Sequence, residues 1–228
     1  MGNEFVALAC FALTVALYLA SKRLNARLGT WWSSPMIVVP LTLIAVLVGA
    51  RIPYDTYFHD TRWLTWLLGP ATVAFAVPIY EHRALIRRHW LSLASGVLVG
   101  MPVAVVSSIW LARELGLPQL LQNTLATRSV STPFALAAAP SFGGQPELAA
   151  VFVVLTGVCG MLIGEAMLAV LPVRSRLAKG ALFGAAAHGV GTAKAREIGA
   201  EEGVVASLTM MFGGLATVLA APLVAGYV

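Results

Sequence analysis

Charged residues and cysteines are both scarce in this sequence. Only 11% of its 228 residues are charged, and its two cysteines, Cys10 and Cys159, each lie within an apolar segment. Thiols in such positions predict neither a disulfide framework nor a zinc site, and a buried structural thiol is the default interpretation of each. The sequence also lacks a nucleophile elbow, a phosphate loop and a dinucleotide fingerprint. We therefore predict a protein that is not an enzyme and that has no cofactor or metal ion.

Apolar residues dominate the composition. They make up 59% of the chain, and the mean hydropathy is +0.84, values that do not describe a soluble globular protein. The formal net charge of +5 does not indicate a nucleic-acid binder, because the 15 basic residues form short clusters between apolar runs. The pattern predicts a polytopic membrane protein with lipid around it and no nucleic-acid partner.

Six apolar stretches are long enough, at about 20 residues, to cross roughly 30 Å of hydrocarbon as helices. They lie near residues 4–20, 34–50, 62–80, 90–112, 146–170 and 201–225. In the first, the basic residues follow the apolar run, which predicts a retained span with its N-terminus outside. We predict one membrane domain, 1–228, in which 1–112 form a scaffold and first spans and 113–228 form the substrate site.

Two further segments differ in character from the six spans. Residues 118–139 and 176–198 are rich in small residues, and polar residues interrupt each near its middle. In the first, Arg128 begins a polar run, and Thr132-Pro133 is typical of a cap followed by the first helical position. We therefore predict a helix, a break and a second helix.

The second segment repeats this design. Gly189 and Gly191 flank Val190, and Thr192 can cap the helix that follows them. A broken helix has unpaired N–H and C=O groups, so it persists in a membrane only where protein or a wet cavity surrounds it. Secondary transporters use such helices to build a midplane anion site, with the positive helix starts directed at the anion. We predict that the two breaks meet at mid-membrane.

The distribution of basic residues favours re-entrant segments over spanning ones. If both broken segments crossed the membrane, Arg174, Arg176 and Lys179 would face the opposite side from the basic clusters near residues 22 and 83. That arrangement violates the positive-inside tendency, whereas two hairpins entering from opposite sides obey it. Two spanning broken helices remain the alternative.

The two broken segments also share an order of features. Each has a threonine at the break, a short Ala-rich helix, a glycine with a carboxylate, and then a Val-rich span that contains threonine. Thr132 corresponds to Thr192, and Glu147 corresponds to Glu201 or Glu202. We interpret this order as an internal repeat.

At these breaks the sequence resembles the LrgB/CidB family of bacterial membrane proteins. The resemblance rests on "TRSVSTPFALA" and "AKGALFGAAAHGVGTAKAREIGAEEGVVASLTMMFGG", beside family forms close to "PKSVTTPIA" and "ASHAIGTARALEEGEEEGAFSSLAM". It extends through "LLGPATVAFAVPIY" and "LAAVFVVLTGVCGMLIG", and so covers the chain from about residue 34 onward. The usual family lysine is Arg128 here, which keeps the charge and adds a bidentate fork suited to carboxylates.

The resemblance implies two different functions. Members are commonly described as antiholin-like effectors of murein hydrolase export, often beside a smaller LrgA/CidA partner. A plant relative looks like a plastid carrier of glycolate and glycerate, and bacterial members are linked to pyruvate movement. We expect a proton-coupled secondary transporter of such small monocarboxylates, because a holin-type pore needs no paired half-helix site. The alternative is an antiholin-like regulator of autolysis that acts with a pore-forming partner.

The expected protein is a multi-pass component of the bacterial inner (cytoplasmic) membrane. A homodimer is expected, because six spans around two hairpins leave a small body that benefits from a fixed scaffold. An LrgA/CidA-like membrane protein is a possible further partner through the resemblance.

The polar residues at the breaks are the candidate binding site for a carboxylate. The predicted substrate-binding residues are Asn123, Arg128, Ser129, Ser131, Thr132, His188, Gly189, Gly191 and Thr192. Arg128 would hold the charge, and hydroxyls together with N–H groups of the helix starts would complete the site. The structural alternatives are helix caps for the hydroxyls, a snorkelling head for Arg128 and interhelical bonding for Asn123.

Two ionisable residues are candidates for proton coupling. His188 lies in the second break and titrates near physiological pH in its unperturbed state, or it satisfies exposed backbone carbonyls instead. Glu165 is an isolated acid within an apolar span. If Glu165 lies at membrane depth, a functional role is favoured. If it lies near the membrane end, its charge costs little free energy. The family usually has another residue at Glu165, so the resemblance implies no role for it.

Glycines recur at four-residue spacing in three places. The pairs are Gly96 and Gly100, Gly160 and Gly164, and Gly180 and Gly184. Such small-residue faces allow close helix approach. They predict core packing, with helix sliding or a homodimer contact as alternatives.

Overall fold

The structure is a computed structural model that describes residues 2–30, 33–74 and 76–224. All regular secondary structure in these ranges is helical, which confirms the predicted all-α class. The α-helices are α1 (Gly2–Leu28), α2 (Pro35–Gly49), α3 (Tyr54–Trp66), α4 (Leu68–Ala74), α5 (Ala76–Glu81), α6 (Arg83–Glu114), α7 (Gln119–Leu125), α8 (Thr132–Ala138), α9 (Pro146–Val170), α10 (Arg176–Ile198) and α11 (Ala200–Val224). A 3-10 turn, Ala139–Phe142, follows α8.

Four of these helices are long and apolar enough to cross a membrane. They are Phe5–Leu28 within α1, and α6, α9 and α11. A shorter apolar helix, Ile37–Gly49, lies within α2. The chain is therefore a multi-pass membrane protein, but the predicted count of six full spans is not confirmed.

The prediction of one continuous span at 62–80 is wrong. The chain there forms the end of α3, then α4 and α5, and Phe75 lies outside the described residues. Pro70 and Pro78 each occupy the third position of a short helix. Proline lacks an N–H and is tolerated in the first turn of a helix but not later, so each proline favours a new helix over continuation.

The described chain packs as two units, Met1–Ala71 and Thr72–Val228. In the first unit α1 packs against α2 and α3. In the second unit α10 packs against α9 and α11, and α11 also contacts α6 and α8. Phe183 of α10 and Leu208 of α11 are fully buried, so the second unit has its core around these two helices. The functional division after residue 112 stays a prediction.

The first broken segment has the predicted form of helix, break and helix. α7 ends at Leu125, residues 126–131 belong to no helix, and α8 begins at Thr132. The predicted cap is one residue off, because Ser131 has the extended N-cap backbone (φ −71°, ψ 154°) and Pro133 is the second helical residue. The Ser131 side chain makes no capping hydrogen bond. Its hydroxyl is therefore available to another partner.

The second broken segment leaves helical geometry at His188, one residue before the predicted glycines. Its backbone angles, φ 47° and ψ −122°, lie where residues with a side chain are seldom found. Thr192 is not a cap, because its hydroxyl donates a 2.8 Å hydrogen bond to the carbonyl of His188, four residues earlier. A β-carbon at Gly191 would collide with the carbonyl of Phe183. The glycine thus serves close approach across the bend, and the histidine carries the unusual backbone.

Glycines bring α10 close to both of its main neighbours. A β-carbon at Gly160 of α9 would collide with the carbonyl of Ala186, and one at Gly184 of α10 would collide with backbone atoms of Ala206 in α11. These two small-residue faces are therefore packing contacts within the chain. A β-carbon at Gly96 would meet no atom within 4 Å, so that face does not hold helices in close contact among the described residues.

Gly184→Ala is expected to destabilise the protein by about 1–3 kcal/mol, the usual cost of overpacking. The added methyl group meets backbone atoms of Ala206, which cannot rotate away as a side chain can. Gly96→Ala is the matched control, because its methyl group has open space and alanine favours a helix over glycine. Thermal unfolding in detergent measures both variants. Equal melting temperatures for the two would contradict the close packing of α10 on α11.

Candidate anion-binding site

A cavity of about 520 Å³ lies between the first break and helices α6, α9 and α10. Arg128 and Ser129 of the break line it together with Thr156 and Cys159 of α9 and Ala186 of α10. Arg128 is the only charged group among the described residues that form its wall. Because the other lining groups are mostly apolar, Arg128 is the one charge that an anion would meet in this part of the described chain.

Arg128 has no counter-charge in the described part of the chain. The ion pairs found there join His59 to Asp60, Arg176 to Glu201, and Lys194 to Glu165 and Glu197. None of them includes Arg128. A partly buried guanidinium without a carboxylate is costly in free energy, and an anion that enters the cavity reduces that cost.

The second break faces the first through His188. This side chain is 2% exposed, and neither ring nitrogen has a hydrogen-bond partner. The imidazole lies beside the backbone of Ser129 without reaching hydrogen-bond geometry, and it is close enough to Arg128 for their charges to interact. The structure therefore brings together the three predicted residues Arg128, Ser129 and His188.

Buried polar atoms without partners are concentrated near these breaks. Within the described residues six buried side-chain N or O atoms have no partner, and four of them belong to Ser131, His188 and Thr209. A buried donor or acceptor that stays unpaired costs roughly 1–3 kcal/mol. The concentration of such atoms indicates that a polar ligand or ordered water completes the site.

A smaller inner compartment of about 50 Å³ adjoins the large cavity. Thr209 and Met210 of α11, Val130 of the break and Gly184 of α10 line it. Ser129 lines both spaces, so the two are neighbours. The inner compartment lies between the first break and the α10–α11 core.

Thr156 and Thr209 were not among the predicted site residues. Thr156 lines the large cavity and Thr209 lines the inner compartment. The signal that could have found them is the internal repeat, because each is the threonine of the Val-rich span that follows a break. The repeat was used to pair the breaks and not to select these two hydroxyls.

Several predicted residues lie away from the two cavities. Asn123 of α7 accepts a 2.8 Å hydrogen bond from Gln119 and lies against the turn at Gly143. Gly189 is exposed and lines neither space. Thr192 is buried one layer behind the site, where its hydroxyl contacts the carbonyl of His188 and, at 3.9 Å, the sulfur of Met210. Ser131, Thr132, His188 and Gly191 line neither cavity.

Glu165 is not the isolated acid that the sequence indicates. Its carboxylate lies 2.5 Å from the ammonium group of Lys194, which also pairs with Glu197 at 3.0 Å. The pair joins α9 to the part of α10 that follows His188. A coupling role for Glu165 stays a prediction, and the observed contact is a tether between two helices.

The chemistry of this arrangement is that of anion binding. Arg128 and the hydroxyl-bearing residues Ser129 and Thr156 line an apolar cavity, and the buried imidazole of His188 lies beside Ser129 outside that lining. The described residues contain no group of three or more His, Cys, Asp or Glu side chains that could hold a metal ion. Such a site can hold a carboxylate and bond its polar substituents.

Comparisons with known proteins place this architecture in a family. The chain is 35% identical over 218 residues to a Bacillus subtilis protein, "Uncharacterized protein YwbG", covering 96% of this chain and 97% of the relative. It is 34% identical to YxaC of the same organism over 87% of this chain and 86% of the relative. A Staphylococcus aureus protein named "Holin-like protein CidB" is 29% identical over 92% of each chain. No solved structure matches the chain.

The family model described as LrgB-like family matches residues 14–227. This match includes both breaks, the cavity between them and the α9, α10 and α11 helices that line or support it. It confirms the resemblance drawn from the sequence. The chain belongs to the LrgB-like family.

Proposed function

We propose that this protein is a secondary transporter of small monocarboxylates and that it binds the carboxylate between its two breaks. The observation that supports the proposal is Arg128, a cation without a counter-charge beside a cavity of about 520 Å³. Glycolate, glycerate and pyruvate are the proposed substrates. The proposal includes residence in the bacterial inner membrane, proton coupling and a homodimer.

In this proposal each group at the breaks has a separate task. Arg128 binds the carboxylate with its guanidinium fork, which matches the two oxygens in one plane. His188 and Ser131 offer free polar atoms to the rest of the substrate. The charge of Arg128, and not the dipole of the seven-residue α8, is the main source of attraction.

The bend at His188 offers a way to change access to the site. α10 before the bend packs on α9 and α11 through glycines, whereas α10 after the bend is tethered to α9 by the ion pair of Lys194 and Glu165. In the proposed cycle the later half pivots at His188 while the earlier half stays packed. Secondary transporters alternate access largely by rocking or gating one part of the protein against another around a fixed site.

A second candidate function is an antiholin-like regulator of murein hydrolase export and autolysis. The relatives named "Holin-like protein CidB" favour this function, and they support it better than they support the carrier. In this case an LrgA/CidA-like membrane partner would form the pore. The site geometry favours the carrier, because a regulator of a separate pore needs no unpaired cation beside its own cavity.

Arg128→Gln is expected to lower carboxylate uptake at least tenfold, because it removes a charged hydrogen bond of roughly 1.5–3 kcal/mol. The measurement is uptake of labelled glycolate, glycerate and pyruvate by proteoliposomes that contain this protein alone. Arg128→Lys is the matched control, since it keeps the charge and should retain part of the uptake.

The two candidate functions predict different results in this assay. Wild-type uptake no greater than that of empty liposomes would contradict the carrier. If, in addition, His188→Ala leaves an autolysis phenotype in cells unchanged while deletion of the protein abolishes it, the regulator is the better account.

Substitutions of His188 separate its backbone from its imidazole. The positive φ of His188 costs roughly 1–3 kcal/mol in a residue with a side chain, and glycine adopts it freely. His188→Gly is therefore expected to be at least as stable as His188→Ala, while both lose uptake because both lack the imidazole. Thermal unfolding and uptake of each variant measure this. Uptake by His188→Gly at the wild-type level would show that the imidazole does not take part.

A further inference from the structure

We infer that the inner compartment beside Thr209 is a subsite for the oxygen atom on carbon 2 of the substrate. This inference rests on the proposed carrier function and deepens it, because it names the part of the substrate that the protein reads. The acids it selects are 2-hydroxy and 2-oxo acids. Carboxylic acids without oxygen at carbon 2 are the class it rejects.

The two cavities are arranged for a substrate that enters both. The large one has a volume of about 520 Å³ and contains Arg128, and the small one has about 50 Å³ and contains Thr209. Ala104, Ser129 and Ala185 line both. A carboxylate bound by Arg128 would therefore lie near the inner compartment, and a substituent on the adjacent carbon could enter it.

Thr209 is the buried polar side chain of this subsite whose hydroxyl has no partner. It is 9% exposed, and its hydroxyl has no hydrogen-bond partner. Other buried hydroxyls of α11 are satisfied within the helix, as Ser207 donates to the carbonyl of Gly203 and Thr217 to that of Gly213. Thr209 differs from them because it lines the compartment and its buried hydroxyl has no such bond.

The chemistry of a hydroxyl suits both kinds of substituent. It can donate to a keto oxygen and accept from a substrate hydroxyl, so one residue serves 2-oxo and 2-hydroxy acids alike. Val130 and Met210 are apolar neighbours of Thr209 in that wall, and Ser129 is the other residue there that has a hydroxyl. An acid without this oxygen leaves the buried hydroxyl unpaired, and a site of this kind discriminates strongly against such a ligand.

The compartment has room for the substituent. About 50 Å³ is enough for a hydroxyl, a keto oxygen or a water molecule. An ordered water bound to Thr209 is the competing occupant. In that case the threonine has a structural role and does not select substrates.

The test is competition by unlabelled acids against uptake of labelled pyruvate in proteoliposomes. For the wild type we expect glycolate and lactate to compete at least tenfold more strongly than acetate and propionate. Thr209→Val, which has nearly the same shape without the hydroxyl, should raise the KM for pyruvate about tenfold and bring the competition ratio close to one. Thr209→Ser should keep the ratio, because it keeps the hydroxyl.

Thr217→Val is the matched control on the same helix. It removes a buried hydroxyl that is already bonded within α11, so the competition ratio should stay at the wild-type value. A Thr209→Val protein whose ratio equals that of the wild type would overturn the inference. So would a variant that takes up all acids more slowly by the same factor, since that is the result of a structural role.

Failure of the carrier proposal can be distinguished from failure of the subsite. If the wild type takes up no acid, ligand-induced thermal stabilisation in detergent tests the subsite independently of transport. Pyruvate that raises the melting temperature of the wild type but not of Thr209→Val, with propionate inactive on both, supports the subsite. Equal shifts from pyruvate and propionate, or none from either, would overturn it.

Discussion

Arg128 holds a positive charge beside an apolar cavity with no carboxylate within ion-pair distance in the described chain, and this electrostatic constraint connects the other observations. A charge in such a place is costly unless an anion joins it. The unpaired atoms of His188 and Ser131 lie around the same breaks. Close contacts through Gly160 and Gly184 hold α10 against its neighbours and so keep His188 beside the first break. Helix packing thus holds His188 beside the break that carries the unpaired charge of Arg128.

Hydrophobic length was sufficient to predict the four helices that are long and apolar enough to cross a membrane. A run of about 20 apolar residues has few alternatives to a spanning helix, so α1, α6, α9 and α11 follow from the sequence. The same measure failed at 62–80, because hydropathy does not register that Pro70 and Pro78 each favour the start of a new helix. The start of the helix after the first break was predicted to within one residue, since Ser131, Thr132 and Pro133 carry local capping signals.

The second break shows what local signals cannot provide. Glycine indicates either a free backbone or a close contact, and only the fold reveals that Gly191 serves a contact with Phe183 while His188 carries the bend. Tertiary contacts likewise determine whether Glu165 is paired, because its partner Lys194 is distant in sequence. Arg128 and His188 were predicted because polar residues at membrane depth are rare and seldom lack a function.

The central claim is an electropositive, water-accessible cavity at Arg128, and Cys159 is a native probe of it because this exposed thiol lines the same cavity. The most direct measurement is its rate of reaction with anionic and cationic methanethiosulfonates in a Cys10→Ala background, each rate divided by that of a small free thiol. The account predicts a several-fold preference for the anionic reagent that Arg128→Gln abolishes. Equal normalised rates in both proteins, or reaction with membrane-permeant N-ethylmaleimide alone, would contradict it.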